Sequence, residues 1–119
     1  MTNEEFGDYF RKRTKQWAIR VVRYVMALQE SPVVRVVRYQ LIKSATSTAA
    51  NYRAACRARS NAEFHSKISV SLEEADESLF WLEFVQEYGL DDSSELHYLI
   101  KETEEIIAVL ATARKNTER

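Results

Sequence analysis

Turn-forming residues are scarce in this sequence of 119 residues, which has only two glycines and one proline. Strands need frequent turns and an alternating apolar pattern, and neither is present, so long helices are favoured. The single cysteine, Cys56, excludes a disulfide framework and is predicted to be a small buried side chain. The sequence therefore predicts one all-α domain over residues 1–119.

Segments that direct a chain to or across a membrane are also missing. No apolar run approaches the roughly 20 residues that a membrane helix requires. The first five residues, Met1 to Glu5, lack the basic and apolar regions of a signal peptide. We therefore expect a cytoplasmic protein with no membrane partner.

Acidic residues are nearly absent from the first half of the chain, where Glu30 is the only one between Tyr9 and Ser60. Residues 1–60 contain 12 Lys/Arg and 4 Asp/Glu, a balance of +8, whereas residues 61–119 contain 5 and 14, a balance of −9. The net charge of −1 hides this asymmetry. Halves of opposite sign indicate pairing within or between subunits, or a polarised surface that binds an anionic partner.

Four segments begin with the residues that cap helix N-termini, two of them as the Ser/Thr-x-x-Glu capping box. Their first residues are Thr2-Asn3-Glu4-Glu5, Ser31-Pro32, Ser60-Asn61-Ala62-Glu63 and Asp92-Ser93-Ser94-Glu95. Gly89 suits the position after a helix end, where φ is positive. These signals predict a first helix that ends near Gln29 and a fourth that extends towards Arg114.

Apolar residues recur at steps of three and four in each predicted helix, which gives each one an amphipathic stripe. The stripes are Phe6, Phe10, Trp17, Val21, Tyr24 and Leu28; Leu41, Ala45, Thr48, Tyr52 and Ala55; Phe64, Ile68, Leu72, Ala75, Leu79 and Leu82; and Leu96, Leu99, Ile100, Thr103, Ile106, Ile107 and Leu110. Short connections make neighbouring helices antiparallel. The predicted fold is an up-down-up-down antiparallel four-helix bundle, with the small residues of segment 43–60 at a tightly packed seam.

The third helix has a second apolar face, opposite its core stripe. At 100° per residue this face contains Phe80, Trp81, Phe84, Val85 and Tyr88. Either the end of the first helix covers it, or it is a subunit interface. Aromatic residues are enriched at interface cores, so we favour an oligomer interface formed by Phe80, Trp81, Phe84 and Tyr88.

Catalytic and metal sites are not indicated. Neither His65 nor His97 has a glutamate three residues before it, and the core stripes contain no acid, which argues against a di-iron centre. Cys56 and His65 have no third group to orient them, and no glycine-rich phosphate loop is present. The acidic cluster Glu73, Glu74, Asp76 and Glu77 fits a solvated face. We therefore predict a non-enzymatic protein with no cofactor and no metal.

A basic stripe follows the second helix, where Arg35, Lys43, Arg53 and Arg57 fall within an arc of about 80° over roughly 33 Å. The basic residues of the first helix scatter around its circumference. The stripe is either a line of contacts for a phosphate backbone or a solvated face that pairs with the acidic helices. Without a recognised nucleic-acid motif, the second interpretation is favoured.

Segment 43–60 also resembles a family signature, because it reads Lys43-Ser44-x-Thr46-Ser47-x-x-Ala50-Asn51-Tyr52-Arg53-x-Ala55-x-Arg57-Ala58-x-Ser60. Further matches are Phe10-x-x-Arg13-Thr14, Ala62-Glu63-Phe64-x-x-Lys67-Ile68, Glu73-Glu74-Ala75-x-Glu77-Ser78 and Trp81-Leu82-Glu83. The pattern is similar to that of the bacterial four-helix-bundle proteins, some of which are called large-subunit rRNA intervening-sequence proteins. Ala54 departs from the acid that is usual there, which puts any role of that carboxylate in doubt.

This resemblance implies a bundle that assembles as a homopentamer. A related branch, the accessory proteins of diversity-generating retroelements, binds a reverse transcriptase and nucleic acid, but those proteins are strongly basic. The leading hypothesis is a non-enzymatic oligomeric scaffold or adaptor, whose partner is an unidentified protein or RNA. The alternatives are an RNA/DNA-binding accessory protein that uses the basic stripe, and a small enzyme with a site between subunits.

Overall fold

Four helices make up the computed structural model, which describes residues 1–118. They are α1 (Asn3–Met26), α2 (Pro32–Cys56), α3 (Asn61–Tyr88) and α4 (Ser94–Lys115). α1 packs on α2 and α4, and α3 packs on the same two helices, so α1 and α3 lie on opposite sides of the bundle. The predicted up-down-up-down antiparallel four-helix bundle is confirmed.

The predicted capping residues begin each helix. Thr2 and Glu5 form the complete capping box at α1, and Ser31 precedes the proline that opens α2. At α3, the Ser60 hydroxyl accepts a hydrogen bond from the Glu63 backbone N–H, but the Glu63 carboxylate accepts none from the Ser60 backbone N–H, so only half of the predicted box forms. Gly89 ends α3 with φ 88°, the left-handed conformation predicted for it. α1 ends at Met26, three residues before the predicted end.

The core is built from the predicted stripes, with a correction at the start of α1. All five predicted core residues of α2 are buried, as are Phe10, Trp17, Val21 and Tyr24 of α1. Phe6 is 39% exposed because it lies in the first turn of α1, where the bundle opens, and it stacks on Phe10 with ring centroids 5.8 Å apart.

Small residues bring α2 and α3 together along a seam that is fully buried. Its members are Ser44, Ala45, Thr48, Ser71, Ala75 and Ser78, each at most 1% exposed. The hydroxyls of Ser44 and Ser78 are 2.8 Å apart, and the Ser71 hydroxyl donates to the Thr48 carbonyl at 2.8 Å. Since each buried hydroxyl has a hydrogen-bond partner, close helix approach is achieved without an unsatisfied polar group.

Charged pairs join α1 to α4 across the other side of the bundle. Arg13 makes two hydrogen bonds to the Glu102 carboxylate, at 2.6 and 2.8 Å, and Arg20 makes two to Glu95, both at 2.8 Å. Between these pairs the Trp17 indole N–H donates to the Thr103 hydroxyl at 2.9 Å in the core. Part of the charge asymmetry of the sequence is therefore neutralised within the subunit.

Enlarging a seam residue should force α2 and α3 apart. We expect Ser78→Leu to lower the free energy of unfolding by about 1–3 kcal/mol, because the added carbons have no space beside Ser44. Urea denaturation followed by circular dichroism measures this loss. Ser66→Leu, the same change at an exposed position of α3, is the matched control. Equal stability of the two variants would contradict the assignment of a tight seam.

Candidate functional site

An aromatic row lies along the outer side of α3 and consists of Phe80, Trp81, Phe84 and Tyr88. Consecutive ring centroids are 5.0, 5.6 and 5.5 Å apart, so the four rings form one continuous surface. Phe80 is 56% exposed and Tyr88 is 61% exposed, while Trp81 and Phe84 are half-buried against the core. The structure thus brings together all four residues of the predicted interface.

No described helix covers the aromatic row. α1 lies diagonally across the bundle from α3, so the interpretation in which the end of the first helix shields these rings is wrong. The assignment of Val85 to this face is also wrong. Val85 is fully buried because its side of α3 turns into the core next to Leu82.

The basic stripe of α2 is exposed along its whole length, but its members differ in their partners. Arg35 lies 3.6 Å from the Glu30 carboxylate. Lys43 lies near Glu74, where its charge partly offsets the rise in the pKa of that acid. Arg53 and Arg57 are exposed and form no ion pair with any residue from 1 to 118. Of the four stripe residues, Arg35 therefore has an ion-pair partner among residues 1–118, and Lys43, Arg53 and Arg57 have none there.

A groove between α1 and α2, which we call the basic groove, was not predicted from the sequence. Its volume is about 560 Å³ and its charged lining residues are Arg11, Lys15, Arg23 and Arg53. The cations of α1 scatter when that helix is considered alone. Arg11, Lys15 and Arg23 face α2 and line the groove together with Arg53. This arrangement depends on how the two helices pack, so the pattern of one helix does not predict it.

Cys56 is exposed, which corrects the prediction of a buried side chain. It is the last residue of α2, at an end of the bundle where its sulfur lies 4.0 Å from the Gly7 carbonyl oxygen and close to the side chain of Tyr52. Partial desolvation raises the pKa of the thiol, so the nucleophilic thiolate is disfavoured.

The two histidines lie in different surroundings. The His97 Nε2 is 2.6 Å from the exposed carboxylate of Asp92, whereas His65 contacts the Thr117 hydroxyl. Within residues 1–118 no three potential metal ligands converge. None of the described helices combines the length and apolarity needed to span a lipid bilayer.

Glu74 is the one acid of the acidic cluster that faces the α2–α3 seam. Its Oε2 atom is buried without a hydrogen-bond partner among the described residues. Burial raises the pKa of this carboxyl group, and the negative charges of Glu77 and Glu73 add to the effect. Folding therefore disfavours the charged form of Glu74.

The sign of this pKa shift predicts how stability depends on pH. An acid whose pKa is raised on folding contributes stability below its unfolded pKa, near 4.3, and loses that contribution as the pH rises. We expect Glu74→Gln to be more stable than the wild type at pH 7 and to lose this advantage at pH 3. Thermal unfolding at the two pH values tests this, with Glu87→Gln at an exposed position of α3 as the control for charge. Lower stability of Glu74→Gln at pH 7 would contradict it.

Comparisons with known proteins agree with the geometry of the bundle. Residues 10–112 match the 23S rRNA-intervening sequence protein family. The fold is similar to the crystal structure of a protein of unknown function from the S23 ribosomal protein family of Bacteroides thetaiotaomicron. The TM-score is 0.83 at 27% sequence identity, over 92% of this chain and 97% of the other. No functionally curated protein matches significantly. The chain belongs to the 23S rRNA-intervening sequence protein family.

Proposed function

We propose that this protein is a non-enzymatic scaffold that assembles with copies of itself and presents a repeated surface to a protein or RNA partner in the cytoplasm. The observation that carries the proposal is the uncovered aromatic row on α3. A homopentamer is the assembly that the sequence resemblance implies, and we propose it as the subunit number.

The energetic argument rests on the outermost rings. Phe80 and Tyr88 each leave more than half of their surface in water. Burial of apolar surface contributes roughly 25 cal/mol per Å², so transfer of these rings into an interface stabilises association. Clustered aromatic residues of this kind are typical of interface cores and of binding hot spots.

The chemistry of the described side chains favours binding over catalysis. The one thiol has a raised pKa, and the carboxylate next to His97 lies on an exposed turn. Repetition of the same surface around an assembly would increase affinity for a repeated or flexible partner through effective concentration. A scaffold needs no reacting group. It needs only several copies of the same binding surface.

Nucleic-acid binding is a second candidate function, supported by the guanidinium groups of Arg53 and Arg57, which are exposed and form no ion pair within residues 1–118. Arg59 lies beside them and lines the same shallow surface depression, in which Glu63 is the one acid. Guanidinium groups bind phosphate oxygens in a bidentate manner and are suited to a nucleic-acid backbone. Because Arg35 pairs with Glu30, the cations of the stripe that remain for a phosphate backbone are Lys43, Arg53 and Arg57.

Removal of the exposed rings should reduce the assembly. We expect Phe80→Ser with Tyr88→Ser to lower the mass measured by sedimentation velocity, with unchanged helix content because neither ring is buried. Tyr98→Ser is the matched control. That ring is 45% exposed, on the α1–α4 side of the bundle, where Arg20 packs against it at 3.9 Å. A double variant with the wild-type mass would show that the aromatic row is not the interface.

The second candidate predicts a charge-dependent loss of binding. Arg53→Glu with Arg57→Glu should weaken binding to structured RNA at least about tenfold in 50 mM salt, because two phosphate contacts become repulsive. Fluorescence anisotropy across a salt series measures this effect. Lys12→Glu with Lys101→Glu makes the same change in net charge at exposed positions outside the stripe. Equal binding by both double variants would exclude a specific role for the stripe.

A further inference from the structure

The floor of the basic groove is apolar, although its rim is charged. It is lined by Ala18, Ile19, Val22, Ala49 and Ala50. Ile19 itself is 43% exposed. Small residues on α2 and aliphatic residues on α1 leave an open groove of about 560 Å³ between the two helices. An uncovered apolar floor of this kind favours a partner that brings apolar side chains of its own.

The rim of the groove carries positive charge only. Lys15, Arg23 and Arg53 form no ion pair with any described residue, and Arg11 lies 3.4 Å from Asp8 in an exposed contact. The cations on the other side of α1, Arg13 and Arg20, are already paired with α4. The groove therefore retains positive charge that the bundle does not neutralise.

The outward face of α3 has the opposite charge and an exposed aromatic surface. Phe80, Phe84 and Tyr88 lie along it, and exposed carboxylates flank them at Glu73, Asp76, Glu77 and Glu87. These carboxylates form no salt bridge within residues 1–118. At 100° per residue the seven positions fall within an arc of about 120°. Glu73, Asp76 and Glu77 precede the rings along the helix and Glu87 lies beside Tyr88, so the face has an acidic first half and an aromatic second half.

The two surfaces also agree in length. The acidic aromatic face, from Glu73 to Tyr88, is roughly 22 Å long at 1.5 Å per residue. The row of groove residues from Arg11 to Arg23 is roughly 18 Å long by the same rise. Within one subunit they cannot meet, because α1 and α3 lie on opposite sides of the bundle.

We propose that the acidic aromatic face of α3 docks into the basic groove between α1 and α2 of a second copy of this chain. The inference rests on the self-assembly proposed above and adds which surfaces meet. Aromatic rings cover the apolar floor while carboxylates reach the cations of the rim, so apolar burial and charge complementarity act together. A phosphate backbone would satisfy only the rim and would leave the floor exposed.

This docking is head-to-tail, since the two surfaces that meet are different and every copy carries both. A heterologous interface continues from copy to copy and forms a ring when the rotation between neighbours closes. Each α3 face is then covered and each groove is filled. Assembly also becomes dependent on ionic strength, because the rim charges are screened by salt.

A charge-swap experiment tests the pairing. We expect Lys15→Glu with Arg23→Glu to shift the concentration midpoint of assembly upward about tenfold, because attraction at the rim becomes repulsion. Glu73→Lys with Glu77→Lys should shift it similarly from the other surface. The fourfold variant with all of these changes reverses both surfaces and should recover assembly near the wild-type midpoint. Sedimentation velocity over a concentration series measures each midpoint.

The control is Lys12→Glu with Lys101→Glu, which changes the net charge as the groove variant does but lies outside both surfaces. This control should retain the wild-type midpoint. Circular dichroism checks that each variant is folded. If a charge reversal lowers helix content, Lys15→Ala with Arg23→Ala replaces it and is expected to shift the midpoint in the same direction.

The outcomes separate this pairing from the self-assembly on which it rests. A wild-type protein that is monomeric at every concentration would overturn both. Loss of assembly in Phe80→Ser with Tyr88→Ser, together with a wild-type midpoint for the groove variant, would overturn the pairing and leave self-assembly intact. Failure of the fourfold variant to recover assembly would also overturn the pairing. A groove variant that loses RNA binding at unchanged mass would assign the groove to nucleic acid instead.

Discussion

The close approach of α2 and α3 is the constraint from which the outer surfaces of this bundle follow. Serine, alanine and threonine occupy the seam, where a larger side chain has no space. Hydrogen bonds between Ser44 and Ser78, and from Ser71 to the Thr48 carbonyl, satisfy hydroxyls that would otherwise be costly to bury. Small residues occupy the side of α3 that packs on α2, at Ser71, Ala75 and Ser78. The rings of the aromatic row lie on the outer side of the helix. The seam that stabilises the bundle thus leaves aromatic surface exposed on its outer side.

Charge is distributed around α1 in two functionally different sets. Arg13 and Arg20 face α4 and are held by Glu102 and Glu95. The hydrogen bonds from Arg20 lower the pKa of the Glu95 carboxyl group, and the two glutamates raise the pKa of both guanidinium groups. Lys15 and Arg23 face the groove and have no acidic partner in the described chain. A single helix therefore closes the bundle with one side and presents uncompensated positive charge with the other.

Local patterns in the sequence predicted most of the fold, because capping, helix period and small-residue content act over a few residues. Ser31, Gly89 and the core residues of α2 lie where those patterns placed them. Val85 was misplaced since α3 buries a wider arc than one stripe, and Cys56 was misplaced since its helix ends where the bundle opens. The aromatic row was predicted because its residues share one helix. The basic groove was not, since its lining comes from two helices whose relative rotation depends on the packing of the whole bundle.

The separation of bonded residues along the chain has a consequence for synthesis on the ribosome. Ser71 bonds to a residue only 23 positions earlier and Ser78 to one 34 positions earlier, so the α2–α3 hairpin can pair soon after it emerges. Arg13 is 89 positions from Glu102, its partner on the last helix. During translation, Arg13, Arg20 and Trp17 of α1 therefore lack their α4 partners until nearly the entire chain has been synthesised. A nascent chain that lacks α4 would therefore leave Arg13 and Arg20 without their acidic partners.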